Sequence, residues 1–179
     1  MKNLLGLGLL LTVFLATSNL TAQKFSGLDK SPADIASFPT SYKESDKAVR
    51  VIYGRPQLKG RDLETLAPTG KVWRTGANEA AEITFYKDVN FGGESVKAGT
   101  YALFTIPGAD EWTIILNKNL NQWGAYSYDN AADVVRVSGK VSKGSESLEA
   151  FSIAFKEVDG GAHLIMGWDT TRVAVPVTM

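Results

Sequence analysis

The chain has 179 residues with 44% hydrophobic content, and its 19 Lys and Arg residues balance 19 Asp and Glu residues to a net charge of zero. That balance argues against binding nucleic acid or anionic membranes through bulk charge. The absence of cysteine excludes a disulfide framework, a lipid-anchored cysteine and any zinc site built on thiolates.

At the N-terminus, Met1–Ala22 carries an early cation, Lys2, then an apolar run from Leu4 to Ala16, then a polar exit ending in a small residue. This is the pattern of a secretory signal peptide, with the run well short of the roughly 20 residues that span a bilayer. Cleavage after Ala22 or after Ser18 is expected, so the sequence reads as an exported protein, periplasmic or secreted, without a transmembrane segment. About 155 residues then remain, enough to bury roughly 70% of the unfolded surface in one domain. Residues 23–45 are polar and broken by Ser31-Pro32 and Phe38-Pro39, and read as an extended arm.

From residue 46 to 179 the pattern is β. Val49, Val51 and Tyr53 alternate with their neighbours, as do Ile83 and Phe85. The run Tyr101 to Ile106 is apolar on both faces. Trp112, Ile114 and Leu116 mark a further strand, and Val135 and Val137 another. Phe151 to Phe155, Leu164 to Trp168 and Val173 to Val177 complete the set, with Pro176 assigning the last to a sheet edge. Gly92-Gly93, Pro107-Gly108, Lys143-Gly144-Ser145 and Asp159-Gly160-Gly161 stand where hairpin turns belong. About eight strands joined by short turns predict an all-β fold, an antiparallel β-sandwich or partly open barrel forming a single domain. The connection from Asn117 to Asp133 is long and holds Trp123, Tyr126 and Tyr128, so it is expected to be packed or used.

Two segments stand out, the Asn117 to Asp133 connection and the stretch from Gly54 to Glu79. Gly54 to Glu79 contains Arg55, Lys59, Arg61, Lys71 and Arg74 among glycines and prolines. Together with Gly54-Arg-Pro, Lys59-Gly-Arg, Ala98-Gly-Thr-Tyr-Ala-Leu-Phe-Thr-Ile-Pro107, Glu111-Trp-Thr-Ile-Ile-Leu-Asn117 and Trp123-Gly, its Val72-Trp-Arg-Thr-Gly-Ala-Asn-Glu79 run resembles the DUF2911 family over roughly Lys30 to Val177. The resemblance implies an exported, all-β domain of a kind common in the Bacteroidota, with no assigned function and no catalytic residues to carry over.

The residues Arg55, Arg61, Trp73, Arg74, Asn78, Glu79, Trp123 and Tyr126 are candidates for binding a ligand. Tryptophan faces stack on flat or ring-shaped ligands, and guanidinium and amide groups fix hydroxyls or carboxylates. The architectural alternative has Trp73 closing one end of the sandwich, Arg74 paired with Glu79 or Asp62, and the loop aromatics closing an open end of the sheets. His163 is the single histidine and has neither a cysteine nor a nucleophile-elbow serine to serve. Asp129, Asn130 and Asp133 gather oxygen donors without a calcium-loop signature, and no metal site is expected. Carboxylate pairs such as Glu79 with Glu82, or Asp110 with Glu111, would need a cleft separation of roughly 5 to 9.5 Å to hydrolyse glycosides. The leading expectation is a cofactor-free binding module for an envelope glycan or protein partner. The alternatives are a hydrolase using Glu79 and Arg74, or a purely structural envelope protein. Oligomeric state is not legible.

Overall fold

A computed structural model describes residues 23–179; the signal segment read at 1–22 lies outside the described residues. The elements are β1 (Ala33–Phe38), β2 (Val49–Gly54), a single helical turn α1 (Leu63–Leu66), β3 (Ala81–Phe85), β4 (Val89–Phe91), β5 (Glu94–Val96), β6 (Gly99–Ile106), β7 (Glu111–Asn117), β8 (Asp133–Val158) and β9 (Gly161–Thr178). They form one antiparallel sheet in the order β1-β2-β3-β6-β7-β8-β9-β4-β5, folded over on itself without closing into a barrel. No helix among the described residues is long and apolar enough to cross a membrane.

Strand β8 makes the fold possible because it serves two partners in succession. Residues from Asp133 to Lys140 pair with β7, and those from Lys140 to Val158 pair with β9. The inner faces of the two layers therefore meet, and their alternating apolar residues fill the space between. Phe38 of β1 packs on Phe155 of β8 at 6.3 Å, Tyr53 of β2 on Phe151 at 5.7 Å, and Phe85 of β3 on Phe91 of β4 at 5.7 Å. Each large side chain so buried contributes about 1.5–3 kcal/mol. Strand β6 is buried on both faces, as its unbroken apolar run predicts: Leu103 joins the main core, while Ala102 and Phe104 lie beneath the 118–132 connection with Ile115, Ala125 and Tyr128.

Three sequence expectations change. The residues 33–38 of the arm enter the sheet as β1, in register from Ala33 opposite Gly54 to Phe38 opposite Val49. Lys143-Gly144-Ser145 is no turn: β8 runs through it with register shifts on either side of Leu148. Gly144 answers a close approach instead, since a Cβ there would meet the Arg172 guanidinium at 2.6–2.9 Å. That guanidinium donates to the carbonyls of Glu146, Asp169 and Thr171. Nor does Pro176 lie on an edge strand, because β9 is flanked by β8 and β4. The proline sits beyond Ala174, where pairing with β8 stops, and its carbonyl accepts the Gly92 N–H at 2.8 Å. Its missing N–H falls on that same side, where the β4 ladder ends at Phe91.

Candidate functional site

The segment from Gly54 to Ala80 starts by closing the layers. The Gln57–Ala150 bridge, the Leu58 N–H to the Glu149 carbonyl at 2.9 Å and the Phe151 N–H to the Pro56 carbonyl at 2.9 Å fasten it to the second half of β8. Arg55 reinforces this seam: Nε donates to the Phe151 carbonyl at 3.1 Å, Nη2 to Ser152 Oγ at 2.7 Å, and Nη1 pairs with Asp34 at 3.0 Å. Arg61 braces its own loop through the carbonyls of Leu58 and Gln57. Both sets of bonds serve the architecture of the segment.

Farther along, Trp73 is 5% exposed and belongs to the core, so it offers no face to a ligand. Its ring lies nearly parallel to Trp168 at 5.5 Å and edge-on to Phe151 at 4.9 Å and Trp112 at 6.1 Å. Reciprocal backbone bonds to Thr105 pull it inward. The chain then turns tightly through Thr75 and Asn78, both at positive φ (53° and 63°). For β-branched Thr75 that conformation is strained, and its buried hydroxyl is placed 3.3 Å from that of Thr105. Arg74 pairs with neither Glu79 nor Asp62 among the described residues, and its Nε is buried without a partner.

Beyond this turn the two conspicuous segments meet. Gly124 N–H donates to the Asn78 carbonyl at 3.0 Å, Ala80 N–H donates to the Gln122 carbonyl at 2.8 Å, and Glu79 pairs across an antiparallel bridge with Trp123. This clasp opens onto a cleft of about 560 Å³, within the usual range of about 300–1,000 Å³ for small-molecule sites. Asp29, Ile52, Asn78, Glu79, Glu82 and Trp123 line it. Trp123 is 64% exposed and Ile52 is 49% exposed; Ile35, opposite Ile52 on β1, continues the apolar surface.

The charges of the cleft are acidic, although the Gly54 to Glu79 segment carries five cations. No Lys, Arg or His is among the described lining residues. The Ser31 N–H, 2.6 Å from Asp29 Oδ1, and next the Asn78 side chain hold the Asp29 carboxyl below its usual range. Glu82 Oε1 accepts the Asn121 N–H at 2.9 Å. Glu79 is exposed and accepts no hydrogen bond among the described residues. Tyr126 is 86% exposed but lies outside the cleft, its ring against Gly124.

The far end of the 118–132 connection is locked. Tyr128 packs edge-on to Phe104 at 5.0 Å, and its hydroxyl donates to Asp133 at 2.7 Å while accepting from Arg136 at 2.8 Å. Asp133 also takes Arg136 Nε at 2.8 Å and Asn117 Nδ2 at 2.8 Å. Its carboxylate is thus committed within the protein rather than offered to calcium, and no group of three His, Asp or Glu residues among the described residues is arranged to hold a metal. Burial, then the hydrogen bond and charge of Asp133, raise the Tyr128 hydroxyl to about 12. His163 lies in β9 opposite Lys156, away from the cleft.

Of the sequence candidates, then, the cleft gathers Asn78, Glu79 and Trp123 and leaves out Arg55, Arg61, Trp73, Arg74 and Tyr126. Sequence reasoning missed Asp29 and Ile52 and named Glu82 only as a possible carboxylate partner of Glu79. For Ile52 a signal existed, because an isoleucine occupies the outward position of a strand whose inward residues are Val51 and Tyr53. For Asp29 there was none.

The family described as Protein of unknown function (DUF2911) matches residues 32–177. No curated protein and no solved structure matches the chain.

Proposed function

The chain belongs to the DUF2911 family, whose description carries no activity, and from that premise we propose that it is an exported module that binds carbohydrate in the cleft beneath Trp123. The observation that supports this reading is the exposed Trp123 indole held beside Glu79, Glu82 and Asn78 in one concavity. A pyranose presents an apolar C–H face that packs on an indole, while its hydroxyls donate to carboxylates and accept from an amide. Ile52 and Ile35 extend the apolar floor, which suits a chain of sugars better than a single ring.

The hydrolase alternative drew on Glu79 with Arg74, and the Arg74 side chain is not part of the cleft. The test is calorimetric titration with a panel of neutral, amino and acidic oligosaccharides against the wild type and Trp123→Ala. Binding that Trp123→Ala abolishes supports the reading. Failure of every oligosaccharide class to bind overturns it.

A further inference from the structure

Resting on the carbohydrate reading of the cleft, we infer that its ligand carries free amino groups and that Glu79 receives one of them against the face of Trp123. Two independent features of the site attract a cation. The first is aromatic: indole is the ring with the strongest cation–π attraction, and Trp123 is open to solvent on the cleft. The second is the charge of the lining, with three carboxylates and no cation among the described residues.

The three carboxylates differ in what they have left to offer. Asp29 is engaged by the Ser31 N–H, and Glu82 by the Asn121 N–H. Glu79 accepts nothing from the described residues, and the bridge between Glu79 and Trp123 sets its backbone directly opposite that of the tryptophan. The arginine nearest in sequence to the cleft wall at Gly54 cannot neutralise it, since all three donor nitrogens of Arg55 are engaged on Asp34, Phe151 and Ser152.

An ammonium group on a sugar thus meets a carboxylate and an aromatic face together. A uronic acid meets three carboxylates and no cation among the described lining residues. Acetylating the amine removes the charge while keeping the ring, so the acetylated sugar isolates this contribution.

The experiment titrates the full mature chain with glucosamine hexamer, N-acetylglucosamine hexamer, a galacturonate oligomer and a lysine-containing peptide, at low and at high salt. Glucosamine hexamer is expected to bind about tenfold more tightly than its acetylated form at low salt, with the preference shrinking as the Debye length falls from about 10 Å at 0.1 M to about 3 Å at 1 M. Glu79→Gln should weaken the amino form roughly three- to tenfold and the acetylated form less, so that the preference between the two hexamers narrows. Glu82→Gln, whose carboxylate is already bonded to Asn121, should weaken it less, and it supplies the comparison if Glu79→Gln lowers the melting temperature. Equal affinity for both hexamers, or preference for the galacturonate, overturns this inference and leaves the carbohydrate reading standing. Binding of the peptide with no sugar binding overturns both in favour of a protein partner, and binding of none of the four overturns both outright.

Discussion

Trp73 and Trp123 come from the two most conspicuous segments of the chain, yet one is buried in the core and the other stands exposed on the cleft. Trp73 lies among Trp112, Phe151 and Trp168, where aromatic rings satisfy one another and water is excluded. Trp123 stands in the open beside carboxylates and an amide. The charges divide in parallel: Arg55 ties its segment to β8 and Arg61 braces its own loop, while acids occupy the cleft. Residue type alone therefore says little about role. The deciding fact is which backbone ladder a residue joins, Trp73 to Thr105 on the inner side and Trp123 to Glu79 on the outer.

The sharpest way to break this contrast is to truncate the inner ring. Trp73→Ala should lower stability by about 3–5 kcal/mol by emptying the centre of the aromatic cluster, which for a domain of this size lowers the melting temperature by roughly 10 °C. Thermal and urea unfolding measure it. A shift of less than about 1 kcal/mol would mean that the cluster repacks freely and that Trp73 is not its centre. Next in size is Asp133→Ala, which removes one acceptor each from Asn117, Tyr128 and Arg136 and should cost about 1–3 kcal/mol. Arg55→Ala should follow at about 1 kcal/mol, because the side chain is partly exposed and its loss leaves the Phe151 carbonyl without that donor.

The locked end of the 118–132 connection adds a pH test. Folding raises the Tyr128 hydroxyl to about 12, above the ordinary tyrosine value near 10. The neutral form is thus favoured in the folded state, and the stability this confers is complete below about pH 10 and lost as pH rises towards 12. Denaturant unfolding between pH 9 and 12 should show the loss, and Tyr128→Phe should flatten it. An unchanged slope in the variant would assign the alkaline transition to another group.

Much of the fold was legible because strand alternation depends on local burial, which Val49, Val51 and Tyr53 or Ile83 and Phe85 display directly. The errors came where a residue serves a distant neighbour. Gly144 resembles a turn until Arg172 is seen across the ladder, and Pro176 resembles an edge residue until its missing N–H is seen to fall where the β4 ladder ends. The cleft was half legible. Asn78, Glu79 and Trp123 stood out by type, but their meeting depends on backbone bonds between segments far apart in sequence. Asp29 reaches the cleft from an arm without periodicity, and no local pattern announces it.

The smallest expected effect on stability decides most about function. Trp123→Ala removes a ring that is mostly in water already, so unfolding free energy should stay within about 0.5 kcal/mol of wild type. The clasp should survive as well, since Gly124 and Gln122 hold Asn78 and Ala80 through backbone groups that the substitution leaves in place. If Trp123 belongs to the outer surface in the sense that Trp73 belongs to the core, this variant keeps its melting temperature and loses oligosaccharide affinity. A drop of several degrees instead would show that the indole braces the Thr75–Glu79 turn. The two tryptophans would then be two parts of one scaffold, and the exposed face of Trp123 a by-product of holding that turn.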